Sequence, residues 1–335
     1  MRTEVCLTID TEFSIAGAFA DPVNRRPVGE ARVYCPAQGE DCGLPFILRT
    51  LARFAVPATF FVETLNTAYF GDAPMRRIAE TIVAAGQDAQ LHLHPCWLHF
   101  REPDWADHLD RDPPNDNCAG RSLDEMAEII AAGLESFRRW GVKRPVVLRT
   151  GNLQADRIVY QAMAQLGLKV ASNIGFAIFQ APDPALRLLA GRVRIGDALE
   201  VPVLSYAQFA LGGWTRYRLM TITGVGTSEM IAILKRARAC QISPIVILTH
   251  PFEYVKSGEP GTESCLPNRM NQRRLDALCR FLADNADEFV AVSMGEAAQR
   301  WLAGGTASSR PLRAPLLPAL GSLFANKAND LVRQL

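Results

Sequence analysis

A chain of 335 residues that is 48% hydrophobic and 21% charged has the material for a large buried core, in one large domain or two ordinary ones. Thirty-six basic against 35 acidic residues leave a net charge of +1, which excludes the one-signed field that draws proteins to nucleic acid or anionic membrane. No apolar run reaches transmembrane length, the N-terminus "MRTEVCLTIDTEF" lacks the segments of a secretory signal, and the eight cysteines form no CxxC pair, so a cytoplasmic protein with reduced thiols is expected.

The period of the hydrophobic pattern switches repeatedly along the chain. "EVCLTI" (4–9) reads as a buried strand, and "LPFILRTLARF" (44–54) has the apolar spacing of a helix. "PATFFV" (57–62) is a second strand. "PMRRIAETIVAAG" (74–86) is a helix that places Met75, Ile78, Ile82 and Val83 on one face, with Gly86 as its C-cap. "AQLHLHPCW" (89–97) is the third strand. The helix over 122–141 carries a capping box, Ser122 with Glu125, and closes on Gly141. Strand 145–149, helix 155–167, strand 168–173 and a strand-like 198–206 follow. Helix 228–240 leads into strand 244–250, and a helix near 268–284, strand 289–294 and helix 295–301 end the series.

This β-α alternation runs seven or eight times without a break, and its unbroken apolar strands are those of a parallel sheet buried on both faces. The fold class is therefore α/β. An open doubly wound sheet is compatible, but a closed (β/α) barrel fits the count and length better. Residues 1–303 are expected to form the barrel, and 304–335 a linker with a tail. The tail spaces Leu316, Leu320, Leu323, Phe324 and Leu331 as on an amphipathic helix, suited to docking on the barrel, to self-association or to membrane-surface contact. Residues 95–121 are polar, Pro-rich and long for a loop, which marks them as functional.

Parallel β/α architectures place their chemistry beyond the C-terminal ends of the strands. Four strand ends here carry Asp10 and Glu12, His92 and His94, Arg149, and His250. Residues i and i+2 of a strand point to the same side, so the two imidazoles can share one cation. One carboxylate of the Asp10/Glu12 pair completes a three-ligand open site, and the other is left to act as general base on a water. A histidine across the site could protonate a leaving group, and Arg149 could orient the base.

As an ordered set, "LTIDTEF", "GQDAQLHLHP", "LRTGNLQAD" and "VILTHP" resemble the polysaccharide deacetylases, the NodB-homology domain of carbohydrate esterase family 4. The resemblance implies a distorted (β/α)7-8 barrel. It also implies Asp10 as catalytic base, Glu12, His92 and His94 as metal ligands, Arg149 as the partner of the base, and His250 as general acid. Leu248 would belong to the closing Leu-x-His motif, and Trp214 would match an aromatic near the acid histidine. The usual family pattern has adjacent aspartates and histidines four apart. Here the carboxylates are spaced as DxE, and position 96, four after His92, is a cysteine. The second imidazole is then His94, unless Cys96 or His99 enters the site.

The activity so implied is removal of an N-acetyl group from an amino sugar, in a glycan or glycan precursor, with a divalent cation, zinc foremost. Trp97 and Trp105 of the long loop could wall a sugar groove or simply pack the loop down. Competing readings are another amide hydrolase of the same superfamily, such as a deformylase, and a barrel that binds glycan without turning it over. Amidohydrolase barrels carry their HxH on the first strand, an order this sequence does not have.

Overall fold

The structure is a computed structural model and describes residues 2–256, 265–306 and 311–331. Its sheet contains β1 (Thr3–Thr11), β2 (Ala58–Glu63), β3 (Asp88–Leu93), β4 (Val147–Thr150), β5 (Val170–Ala171), β6 (Val193–Ile195) and β7 (Ala198–Glu200). A hairpin of β8 (Ser205–Leu211) and β9 (Trp214–Leu219) stands apart, and β10 (Ile245–Thr249) and β11 (Phe289–Ala291) rejoin the sheet. The spatial order is β10-β1-β2-β3-β4-β5-β7-β6; every pairing is parallel except β6 on β7, and β11 pairs the start of β1.

The curled sheet is a distorted (β/α) barrel. The gap between β7 and β10 is closed by isolated bridges, Val203 to Val246 and Thr221 to Leu248, rather than by a continuous ladder. Around it pack α1 (Ala31–Tyr34), α2 (Leu44–Phe54), α3 (Asp72–Ala84), α4 (Leu123–Trp140), α5 (Arg157–Gln165), α6 (Thr227–Ala239) and α7 (Arg269–Asp284); α8 (Met294–Gly304) and α9 (Leu316–Leu331) end the chain. The capping box at Ser122 and Glu125 is formed, and Gly141 closes α4 in the left-handed conformation.

Strand alternation divides the core in two. Leu7, Ile9, Leu91 and Leu148 point outward into the layer shared with the helices. Cys6, Phe61, Val147, Val246 and Leu248 point into the barrel, where Met294, Ala297 and Trp301 of α8 pack beneath them. The same parity continues up each strand, so Thr8 and Asp10, Glu63, His92, Arg149 and His250 are directed toward the barrel's upper mouth.

Several expected elements change length for local reasons. The strand foreseen at 168–173 contracts to Val170–Ala171, because polar side chains take the backbone groups beyond it. Arg149 binds the Ser172 carbonyl, and Glu200 accepts the Asn173 and Ile174 N–H groups. The strand-like 198–206 stops at Glu200 ahead of Pro202 and resumes as β8. Gly212 and Gly213, with φ of +56° and +83°, then turn the chain tightly into β9.

The tail is helical over Leu316–Leu331 and docks on the barrel, but with the face opposite to the expected one. Ala319, Ser322 and Asn329 are buried, Ser322 Oγ accepting the Gly226 N–H at 2.9 Å and Asn326 donating to the Gly224 carbonyl at 2.8 Å. Leu316, Leu317, Leu320 and Phe324 are exposed. Small and polar residues are what allow this helix to approach the loop before α6 closely. No helix among the described residues is long and apolar enough to cross a membrane.

Candidate active site

Strand register assembles the site. Asp10 sits opposite Phe61, Glu63 opposite His92, and His92 opposite Arg149 on neighbouring strands, while Thr8 faces Leu248. His94 and His250 lie just past their strands, each followed by a proline. A proline disfavours the helical conformation in the residue before it, and both histidines are extended, with φ/ψ of −118°/94° and −131°/153°.

Glu12, His92 and His94 offer three ligand atoms within 4.8 Å of one another. Both Nε2 atoms face one oxygen, Glu12 Oε2, at 3.2 Å for His92 and 2.9 Å for His94. The far side of each ring is fixed. His92 Nδ1 lies 3.0 Å from the Arg149 carbonyl, which can only accept, so Nδ1 carries the hydrogen and Nε2 of the neutral ring presents its lone pair. His94 Nδ1 is held by Asp116 Oδ2 at 2.7 Å. A carboxylate or carbonyl behind each imidazole is the outer-shell arrangement of histidine metal ligands. With both rings neutral, the lone pairs of two imidazoles and a carboxylate converge and repel one another unless a cation stands between them, so the donor set fits a divalent ion.

The charges agree. Burial alone would raise the Glu12 carboxyl, but the charge of His94 leads the groups that hold it well below the usual range. Burial would likewise depress His94, yet Glu12 and Asp116 outweigh it and hold the imidazole well above its ordinary value. The same negative field favours a bound cation.

Beside this set, Asp10 is 4% exposed and Arg149 is fully buried. Arg149 Nη1 donates to Asp10 Oδ1 at 2.7 Å and to Thr8 Oγ1 at 2.9 Å, and its Nε and Nη2 bind the Ser172 carbonyl and hydroxyl. Its guanidinium carbon also lies 4.0 Å over the Phe61 ring. Asp10 Oδ2 lies 3.9 Å from His92 Nε2 and 4.0 Å from His250 Nε2. His250 is set by Glu253, whose Oε1 is 3.0 Å from Nδ1 and whose Oε2 accepts the His250 N–H at 3.1 Å. Burial works against the charge of His250, but Glu253 leads the groups that raise it to about 9.

Of the nine residues expected to form the site, six meet at this mouth: Asp10, Glu12, His92, His94, Arg149 and His250. The other three do not line it openly. Trp97 is 2% exposed and packs against Phe70 and Phe100, so the loop tryptophan belongs to an aromatic core instead of a sugar wall. Trp105 joins the same cluster, edge-on to Phe19 and Phe100. Trp214 stands at the β8–β9 turn, 61% exposed, beside a cavity lined by Leu211, Arg313 and Leu316 and by none of the six. Leu248 is buried in the barrel interior beneath His250, among Phe61 and Leu219. Cys96 and His99 stay outside the ligand set. Burial, seconded by Asp116, pushes the Cys96 thiol far up, and His99 Nε2 turns to the Trp105 carbonyl.

Four positions that touch this cluster escape the sequence argument. Glu253 carries a legible signal, an acidic residue three after His250, as in a capping box. Glu63 ends β2 as Asp10 ends its strand; its oxygens accept the Leu65 and Asn66 N–H groups and that of His94 at 3.3 Å, and burial holds its carboxyl at about 7. Asp116 lies in the long loop, and no local pattern points to it. Gly151 lies against the His94 ring, where a Cβ would fall 2.6 Å from Nδ1.

No protein-family model matches the sequence, and no curated protein matches it. Among solved structures, one assigned as a polysaccharide deacetylase from Mycobacterium smegmatis aligns with 92% of this chain and 94% of its own, at 20% identity and a TM-score of 0.54. The chain has the polysaccharide deacetylase fold. A family 4 carbohydrate esterase from Streptomyces lividans aligns more loosely, at 12% identity and a TM-score of 0.44 over 92% of this chain and 98% of its own. A family 4 pseudoenzyme from Bacillus anthracis aligns at 14% identity and 0.42, over 86% of this chain and 63% of its own. The fold comparison with the mycobacterial structure rests on nearly the full length of both chains.

Proposed function

We propose that this chain is a divalent-cation-dependent N-deacetylase of an N-acetylated amino sugar in a glycan or glycan precursor. The observation that carries the reading is the position of Asp10, about equidistant at 3.9 and 4.0 Å from a ligand imidazole and from His250. Hydrolysis of an unactivated amide needs a base for water, an acid for the departing nitrogen, and positive charge at the carbonyl oxygen. The mouth of the barrel offers groups for all three within one small volume. The fold shared with a mycobacterial polysaccharide deacetylase supports an N-acyl sugar as the substrate class.

Glu12, His92 and His94 would hold the cation, and one carboxylate with two imidazoles suits zinc. When bound, it supplies the charge that polarises a carbonyl and acidifies water. Asp10 takes a proton from the attacking water as the water oxygen bonds to the acyl carbon. Arg149 occupies Asp10 Oδ1, so Oδ2 is the oxygen left to receive that proton. His250, charged through Glu253, gives its Nε2 proton to the sugar nitrogen as the C–N bond breaks. The proton on Asp10 then restores His250, and the products are acetate and a free amino sugar.

The test combines metal content with acetate release from N-acetylated oligosaccharides. Wild type is expected to bind about one zinc and release acetate, and Asp10→Asn to keep its zinc while losing about two or more orders of magnitude in kcat/KM. A protein that binds sugar, holds no cation and releases no acetate would instead be a glycan-binding barrel.

A further inference from the structure

We propose that Arg32 is an anion subsite at the mouth of the barrel, and that the substrate sugar carries a carboxylate or phosphate near its acylated nitrogen. The proposal rests on the deacetylase reading for the identity of the sugar, but the subsite itself rests on the geometry of Arg32.

Arg32 belongs to α1, in the excursion between Glu12 and α2. Its guanidinium carbon lies 3.4 Å from the centroid of the Phe252 ring. That ring in turn lies 4.8 Å from the His250 imidazole, tilted by 31°. The Cys35 thiol, at the end of this helix, lies between the Arg32 carbonyl at 3.1 Å and the Pro251 carbonyl at 3.5 Å, against the turn after His250. Arg32 therefore stands one ring away from the acid histidine, on a segment anchored to that histidine's own turn.

Arg32 is also a cation in search of a counterion. Its Nε is buried and has no hydrogen-bond partner. Its side chain makes no ion pair with a described residue, in contrast to Arg149, whose three guanidinium nitrogens are all bonded. Burial works against its charge, and Glu12, Cys35 and Glu253 are the groups that favour it. Neither carboxylate is at liberty: Glu12 faces the two imidazoles, and Glu253 is bonded to His250. A partly desolvated guanidinium left unpaired is costly, and a ligand anion removes that cost. The planar fork, already oriented by stacking on Phe252, suits the two-oxygen edge of a carboxylate or phosphate.

The location says which part of the substrate bears the anion. His250 protonates the nitrogen that leaves with the sugar, so a group beside His250 meets the amine half and not the acetyl half. The anion stays on the amino-sugar product.

The test uses the full-length, zinc-loaded protein with three compounds: neutral N,N′-diacetylchitobiose, N-acetylglucosamine 1-phosphate, and N-acetylglucosamine joined to glucuronate. Wild type is expected to favour an anionic compound by about tenfold or more in kcat/KM, chiefly through KM. In Arg32→Met that preference collapses to about one, and Arg32→Lys, which keeps the charge and loses the fork, falls between. The phosphate and glucuronate arms distinguish the two anions. A wild type without preference, or a preference that survives Arg32→Met, overturns the subsite. If none of the three releases acetate, calorimetric binding of the same compounds still decides. Anion binding lost in Arg32→Met upholds the subsite while the deacetylase reading fails, and equal binding by wild type and Arg32→Met overturns it.

Discussion

Replacing Glu253 with Gln should move the alkaline limit of activity without moving the acidic one. Against the effect of burial, the structure holds His250 at about 9, where an ordinary histidine lies near 6.5, and Glu253 is the largest group raising it. Gln keeps the size of the side chain and a carbonyl acceptor for the His250 and Thr249 donors, but removes the charge. At pH 8 an imidazole with pKa near 9 is about nine-tenths protonated and one near 6.5 about 3% protonated, so the active fraction falls roughly 30-fold. At pH 6 both forms are mostly protonated, and the loss shrinks to less than about twofold. A cation at Glu12 lowers the value in both proteins alike, so the separation of the two alkaline limbs is the quantity to measure. The assay is kcat/KM for acetate release between pH 5 and 10. The sign for stability follows from the same shift: a histidine raised in the folded state adds stability below its unfolded value of 6.5, and this is lost as pH climbs through about 9. Denaturant midpoints of wild type should therefore fall over that window, and those of Glu253→Gln should fall less. An equal activity loss at every pH would show that Glu253 merely shapes the turn and would refute the charge argument.

Three further outcomes check other parts of the site and fold. Asp116→Asn should weaken zinc affinity by about 10- to 100-fold in a chelator competition, because it loosens the His94 ring without removing a ligand. Gly151→Ala should release zinc in the same assay, since the new Cβ would meet the His94 ring at 2.6 Å, while far-ultraviolet dichroism stays unchanged. On the tail, Ser322→Leu should cost about 1–3 kcal/mol in urea unfolding by overfilling the contact with Gly226, whereas Phe324→Glu should stay within about 0.5 kcal/mol.

Much of this molecule is written in local pattern. The switch from period 2 to period 3.6 marks most barrel strands and helices, and the capping box at Ser122 and Glu125 fixes a helix start to the residue. Strand parity places Asp10 with Thr8 and His92 with His94 on inner faces, so the ends of four strands already point to one mouth. Local pattern could not say that Trp97 lies inside an aromatic cluster, because an indole in a polar loop reads the same whether it packs or meets solvent. Nor could it tell which face of the tail docks. The spacing of Leu316, Leu320 and Phe324 defines a stripe, but the opposing surface near Gly226 accepts the small and polar stripe instead.

The order of strands and helices, and the residue types at each strand end, depend on neighbours a few positions away, and so they are legible in the chain before it folds. The packed barrel adds that Asp116 stands behind His94, that Glu63 braces the His94 backbone, and that Arg32 stacks on the ring beside His250. Asp116 and Glu63 reach His94 from 22 and 31 positions away, and Arg32 meets Phe252 from the other end of the barrel's sequence. No helical or strand period spans such distances. These contacts arise where separate loops return to one rim, and only the closure of the barrel specifies that return.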